Sequence, residues 1–344
     1  MLVDGSGKKT LRRLSDAGVL LNARTLSDTM QLTYTFHPSQ VDWIVETHHS
    51  LMSADINGAT LAHAARIVSQ ETAESKAKLD GLRENWVALQ QTLYESPQFA
   101  HDGFGYDVAT WTAEARSAVL LLAETIKLST PTVVGCGNFA AEVLAYPFGS
   151  ETSPTRSGVA EHRAPELNAP EEGRFHGQRS RHLLGIPINF NVLGDASYLA
   201  TWCVVEALRH ILNLENREAD VSLGIFGPFG LLRSDCISIV YRPPEADGLK
   251  DQETIKNAVK ASQRLLESRE DFNKIQAKVT ERLRAMLISP DQQSSIAGKL
   301  ALAGEADLSS IHANLASLSQ EEVVRNAVNL HALPVFTVPE MMLK

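Results

Sequence analysis

Apolar residues recur every three or four positions along two stretches of the chain, residues 1–130 and residues 246–344, and this spacing predicts helices. In the second stretch an apolar stripe continues from residue 255 to residue 287, until Pro290 ends it. A stripe of that length without an internal Gly or Pro predicts one long spine helix of roughly nine turns. Shorter helices are predicted over 294–303, 308–317 and 321–330.

The pattern changes between residues 131 and 245. Short apolar runs broken by Gly and Pro predict strands in this region. One helix interrupts them over residues 196–213, where Asp195 supplies the N-cap and apolar residues follow at helical spacing. The stretch 150–181 is polar and rich in Pro, Gly, Glu and Arg, and it predicts a long loop that is either a binding element or a mobile surface segment.

Together these patterns predict an α+β protein. The N-terminal block 1–130 and the C-terminal block 246–344 are mainly helical, and we expect them to pack together. The β-rich middle domain, residues 131–245, lies between them along the chain. A length of 344 residues suits two domains, or one large domain with an insertion.

Charge and composition narrow the classes of partner. The chain carries 32 Lys and Arg against 41 Asp and Glu, a formal net charge of −9, which disfavours binding to nucleic acid or to an anionic membrane. The longest strongly apolar run, residues 118–123, is too short to span a bilayer. Three widely spaced cysteines without a C-x-x-C motif indicate a reducing compartment, so we expect a protein that is cytoplasmic or assembles in the cytoplasm.

Residues 135–140, GCGNFA, fit the spacing of the dinucleotide-binding pattern G-x-G-x-x-G/A. In that pattern Gly135, Gly137 and Asn138 would approach the phosphates of a nucleotide. The sequence VGCG also resembles the glycine loop of methyltransferases that bind S-adenosylmethionine. The alternating strands and helices of both folds are missing here, and Pro147 leaves little room for the helix. We therefore favour a tight turn in a packed core and expect no cofactor.

Metal binding is not expected. No HExxH motif occurs, and the adjacent His48 and His49 would point about 100° apart on a helix. Cys203, Glu206 and His210 share one helix face, but Cys203 also belongs to the apolar stripe of that helix. We interpret the three as a buried thiol beside a Glu–His pair on the helix surface.

Two hypotheses of function remain open, and we favour the first. It describes a non-enzymatic structural subunit of a homo-oligomeric assembly, such as a shell, capsid-like or scaffold protein, because the residues form no recognised catalytic constellation. Self-association would use the spine helix and the apolar C-terminal tail, residues 333–344. The layout, a β domain between helical blocks, is similar to that of the shell proteins of some double-stranded RNA virus cores.

The second hypothesis describes a cytosolic enzyme or effector with a ligand pocket of the nucleotide or S-adenosylmethionine type near the 135–140 turn. Its polar residues would be His182, Asp195, Arg179 and Asn191, which flank the end of the polar loop and the turn before helix 196–213.

Overall fold

The structure is a computed structural model, and the part of the chain that it describes falls into two compact units. Unit 1 comprises residues 1–25, 30–78 and 102–160, and unit 2 comprises residues 26–29, 79–101 and 161–344. The described residues are 5–26, 28–53, 56–78, 82–94, 111–128, 131–138, 182–190, 192–215, 218–232, 234–241, 248–303 and 308–338. The predicted polar loop 150–181 lies outside them.

Helices precede and follow a small sheet along the chain, which confirms the predicted α+β class. None of the described helices is long and apolar enough to cross a membrane. The elements are α1 Gly5–Asp16, β1 Leu20–Thr25, β2 Met30–Thr35, a 3-10 turn Pro38–Gln40, α2 Val41–Met52, α3 Gly58–Lys78, α4 Leu82–Leu93, α5 Ala113–Leu128, β3 His182–Asn189, α6 Ala196–Leu214, β4 Asp220–Leu223, β5 Ser234–Tyr241, α7 Gly248–Glu267, α8 Arg269–Met286, α9 Pro290–Ala303, α10 Leu308–Ser317, α11 Gln320–Ala332 and β6 Phe336–Thr337.

In unit 1, β1 and β2 form an antiparallel hairpin in which Leu20 lies opposite Thr35 and Thr25 lies opposite Met30. A small apolar cluster stabilises the region, since Leu14 of α1 and Ile44 of α2 are buried together. Two-stranded hairpins are marginally stable alone, so this packing is what holds the hairpin in place.

Unit 2 is built on a four-stranded antiparallel sheet with the strand order β4-β5-β3-β6. β3 pairs with β5 along its whole length, from His182 opposite Tyr241 to Asn189 opposite Ser234. The two-residue strand β6 pairs only with residues 184 and 185 of β3. Continuing that register would place Pro187 opposite Pro334, and since neither has an N–H group, the ladder ends there.

The two faces of this sheet bury different elements. Leu184, Ile186 and Ile188 of β3 point to the main core, which is formed with helices α6 to α11. Alternate residues such as Leu183 point to the opposite face, where α4 packs. Gly185 lies on that second face, and a Cβ atom there would approach the Leu89 side chain to 2.9 Å. Glycine at this position lets α4 lie directly on the sheet.

The predicted spine helix is wrong, because two helices occupy its place. α7 ends at Glu267, and Ser268 adopts an extended backbone and caps α8 by accepting a hydrogen bond from the N–H of Asp271. A serine hydroxyl that competes for backbone N–H groups favours a helix start over a helix interior. The apolar stripe continues across the break, and α7 and α8 contribute to the same core.

The described part of the C-terminal tail is buried in the chain's own unit 2. Val335, Phe336 and Val338 are each at most 3% exposed, and the N–H of Val338 donates to the carbonyl of Leu183. The remainder of the tail, 339–344, lies outside the described residues. The domain boundaries at 130/131 and 245/246, and self-association through the tail, stay predictions.

Candidate functional site

The loop that connects β4 to β5 comprises residues 224–232 and turns through three residues with left-handed backbone. Gly224, Gly227 and Phe229 have positive φ angles of 83°, 84° and 59°. The left-handed region is costly for a bulky residue such as Phe229, so surrounding contacts must impose it. Most of the loop is buried, but Phe226 at its tip is 51% exposed.

Three charged side chains hold this loop, and two of them, Asp235 and Lys299, are buried. Asp235 Oδ1 accepts hydrogen bonds from the N–H groups of Ile225 (2.9 Å) and Cys236 (2.8 Å). Asp28 Oδ2 accepts from the N–H of Leu232 at 2.6 Å. Lys299 Nζ of α9 donates to the carbonyls of Phe229 (2.6 Å) and Gly230 (2.7 Å). The start, middle and end of the loop are therefore each fixed by a charge-assisted hydrogen bond.

The loop's aromatic residue is fixed in the same way. The N–H of Phe229 donates to the hydroxyl of Tyr198 at 2.5 Å, and the two ring centroids lie 5.1 Å apart. The Trp202 ring meets the Phe229 ring edge to face at 6.0 Å. Burial is the main cause that raises the pKa of Tyr198, which stays a neutral hydroxyl. These contacts from α6 account for the strained φ of Phe229.

The electrostatics of the cluster favour a proton on its carboxylates. Burial is the largest cause that raises the pKa of Asp235 to about 7, the two backbone hydrogen bonds lower it, the Asp28 charge raises it and the Lys299 charge lowers it. Burial also raises the pKa of Asp28, against the lowering effects of the Leu232 hydrogen bond and Lys299. Asp28, Asp235 and Lys299 together carry no net charge when one of the two carboxyl groups is protonated. The cluster can thus bind or release a proton near neutral pH.

A second buried polar group joins the sheet to α7. His182 Nδ1 and the hydroxyl of Tyr241 each contact one oxygen of the Asp251 carboxylate. His182 is 4% exposed and Asp251 1% exposed. The contact joins the paired ends of β3 and β5 to the first turn of α7.

His182 and Asp195, two of the predicted pocket residues, make separate contacts. Asp195 caps α6, as expected, by accepting from the N–H of Tyr198 at 2.7 Å. His182 begins β3 and Asp195 follows its far end, so the length of the strand, roughly 23 Å, lies between them. Arg179 and Asn191 lie outside the described residues, so the predicted pocket stays a prediction.

Residues 131–138, which include Gly135, Gly137 and Asn138, form neither helix nor strand. The helix expected after the turn would begin at Phe139, outside the described residues. Nucleotide binding at this turn therefore stays untested.

The interpretation of Glu206 as a surface residue is wrong. Glu206 of α6 is fully buried, and its Oε1 accepts from Arg209 (2.6 Å) and from Arg282 of α8 (2.8 Å). His210 is exposed and is not part of this ion cluster. Cys203 is buried as predicted, and burial raises the pKa of its thiol to about 12. Within the described ranges no group of three or more His, Cys, Asp or Glu residues could hold a metal ion.

The sequence alone did not indicate the cluster of Asp28, Asp235 and Lys299. Its local signal is the evenly spaced glycines at 224, 227 and 230 followed by an aspartate. That spacing marks a turn, but only the tertiary fold brings Asp28 and Lys299 to it.

Solved structures of proteases share this fold. A protease from Helicobacter pylori matches with a TM-score of 0.67 and 12% identity over 97% of this chain and 84% of that one. An M16-like peptidase from Alicyclobacillus acidocaldarius matches with a TM-score of 0.63 and 15% identity, over 96% of this chain and 82% of that one. A chain of complex III2 from Candida albicans with Inz-5 bound matches with a TM-score of 0.64 and 12% identity, over 93% of this chain and 81% of that one. No protein-family model matches the sequence, and neither does any curated protein.

These matches overturn the hypothesis of a shell, capsid-like or scaffold subunit. The fold is like that of M16-like peptidases and of a complex III chain, and none of the three is a capsid protein. The order of helices and strands along a chain does not determine how they pack. The similarity in layout to viral shell proteins was therefore not evidence of the same fold.

Proposed function

We propose that this protein binds segments of polypeptide on an M16-like peptidase fold, and that it does so without a helix-borne zinc centre of its own. One observation carries the proposal: nearly the whole chain has the fold of proteases, whereas the sequence contains neither HExxH nor HxxEH. Those two motifs place the two histidines and the glutamate of zinc peptidases on one helix.

The residues do not fit a catalytic zinc ion. Such a site needs three protein ligands and an open position for water. In the part of the chain that the structure describes, His, Cys, Asp and Glu side chains form no group of that size. The proposed activity is therefore recognition of polypeptide, and no hydrolytic step is assigned to this chain.

The 224–232 loop is the element that we propose contacts the polypeptide. Its buried hydrogen bonds fix the backbone before binding, so little conformational entropy is lost when a ligand is bound. Phe226 is the loop's exposed large apolar side chain, and an aromatic ring on a rigid backbone is a typical anchor for apolar side chains of a partner. The nearby Pro228 further limits the motion of the tip.

Fluorescence anisotropy with fluorescein-labelled casein, an unfolded polypeptide, tests this proposal. We expect saturable binding that weakens at least tenfold, about 1.4 kcal/mol, in Phe226→Ser. Ile288→Ser is the matched control, because Ile288 is an 80% exposed apolar residue between α8 and α9. Absence of binding, or equal weakening by both substitutions, would contradict the proposal.

We further propose a cytoplasmic location. The buried thiols of Cys203 and Cys236 are unpaired, and burial raises the pKa of both. Unpaired thiols are typical of reducing compartments. Cell fractionation tests this, and recovery of the protein in an oxidising compartment would contradict it.

A further inference from the structure

We propose that Lys278 and Arg282 form a cationic site that binds a carboxylate of an acidic segment of polypeptide. Both residues lie on α8, and the charged groups of both lie close to the buried Glu206 of α6. The inference rests on the proposed function, because it names acidic segments as a class of polypeptide that the protein recognises.

Helical spacing brings the two cations together. Lys278 and Arg282 are four residues apart on α8, so their side chains are neighbours on one face of the helix. Val279 and Leu283 are buried in the core. The Lys278 side chain is 45% exposed and that of Arg282 is 40% exposed. A ligand in solvent can therefore reach both side chains from the same side of the helix.

Positive charge exceeds negative charge in this cluster. Glu206 Oε1 accepts from Arg209 and from Arg282, and Lys278 Nζ lies 3.7 Å from Glu206 Oε2. The charge of Asp220, at the start of β4, also acts on Arg282. Three cations thus face two carboxylates, and one positive charge is left without a counterpart among these five residues.

Lys278 and Arg282 keep hydrogen-bond donors for a further acceptor. Among the described residues Glu206 Oε2 accepts no hydrogen bond, so its contact with Lys278 is an ion pair only. A lysine ammonium has three donors. Arg282 contacts Glu206 through Nη1, and a guanidinium has five donors in a planar fork that matches a carboxylate. An added carboxylate can therefore accept from both side chains.

The environment of Arg282 agrees with this count of charges. Burial is the largest cause that lowers the pKa of Arg282, the charge of Glu206 raises it, the charge of Arg209 lowers it and the charge of Asp220 raises it. The negative charges present do not outweigh burial and the repulsion between the two arginines. A bound carboxylate would supply further negative charge next to the guanidinium.

The net charge of the whole chain favours a short acidic segment over a long polyanion. A formal charge of −9 disfavours binding to nucleic acid, whose phosphates would meet the acidic surface along their length. An acidic segment of polypeptide needs only the local positive charge of Lys278 and Arg282.

Fluorescence anisotropy with two fluorescein-labelled peptides, at one fixed ionic strength, tests the cationic site. One peptide alternates glycine with glutamate, and the other alternates glycine with glutamine. We expect the glutamate peptide to bind at least about threefold more tightly, since only its side chains carry the charge that the site recognises. No binding of the glutamate peptide, or equal binding of both peptides, would overturn the site.

Variants of Lys278 assign the preference to this site. Lys278→Gln should remove most of the preference for glutamate, and Lys278→Arg should retain it because the charge is kept. Lys256→Gln is the matched control, because Lys256 is an exposed lysine of α7 and the change in net charge is the same. A preference that persists in Lys278→Gln, or that Lys256→Gln removes equally, would overturn the site. Urea unfolding verifies that each variant is folded.

The peptides separate this inference from the proposed function. They have no apolar side chains for Phe226 to contact, whereas casein has them. Casein binding without a preference for the glutamate peptide would overturn the cationic site alone. A preference for the glutamate peptide without casein binding would contradict the proposed function and support the cationic site.

Discussion

Gly224 and Gly227 have nearly the same left-handed backbone, with φ angles of 83° and 84°, but different surroundings. A Cβ atom on Gly224 would lie 2.6 Å from Asp235 Oδ2, whereas a Cβ atom on Gly227 would meet nothing within 4 Å. Gly227→Ala should cost about 1 kcal/mol for its backbone alone. Gly224→Ala should cost at least about 2 kcal/mol more, because the buried carboxylate must move. Urea unfolding measures both, and equal losses would contradict the described loop.

Single residues show what the sequence could predict. Asp195 was predicted as the N-cap of α6 because a cap is a local contact with the residues that follow it. The roles of Asp28 and Lys299 depend on contacts with residues about 200 and 70 positions away along the chain. Local spacing contains no information about such contacts, so the site could not be predicted in this way.

The contact between α6, α8 and β4 depends on one buried carboxylate. Glu206 binds Arg209 and Arg282, and Arg209 also donates to the carbonyl of Val221 at the outer edge of β4. Glu206→Gln should cost about 3 kcal/mol, because it leaves the two arginines without their anion. Lys278→Gln is the control and should cost less than about 1 kcal/mol, since Lys278 is 45% exposed and 3.7 Å away. Thermal and urea unfolding compare the two, and similar losses would disprove a central role for Glu206.

At the scale of elements, helices were predicted more accurately than their interruptions. The helix predicted over 308–317 coincides with α10, because its apolar spacing and its ends are both local signals. The break at Ser268 was missed because serine is tolerated inside helices and the apolar stripe passes through it. Strand β6 depends on pairing with β3, and two residues provide no periodicity from which to predict it.

For the whole molecule, the sequence predicted the α+β class but not the fold. The class follows from adding up local patterns, whereas the fold depends on sheet order and on which helices cover each face. The protease-like fold also changes the meaning of the missing zinc motifs. In a protein of unknown fold their absence says little, but on this fold it supports our proposal of polypeptide binding without zinc-dependent cleavage.

We propose that this protein binds polypeptide and does not cleave it through zinc. The most direct measurement incubates the protein with casein and Zn²⁺, with and without a chelator, and follows the intact mass of casein by mass spectrometry. We predict that casein keeps its full mass over many hours in both samples, while it binds the protein in the anisotropy assay. Casein fragments that appear with Zn²⁺ and disappear with the chelator would contradict the claim and would show a metallopeptidase.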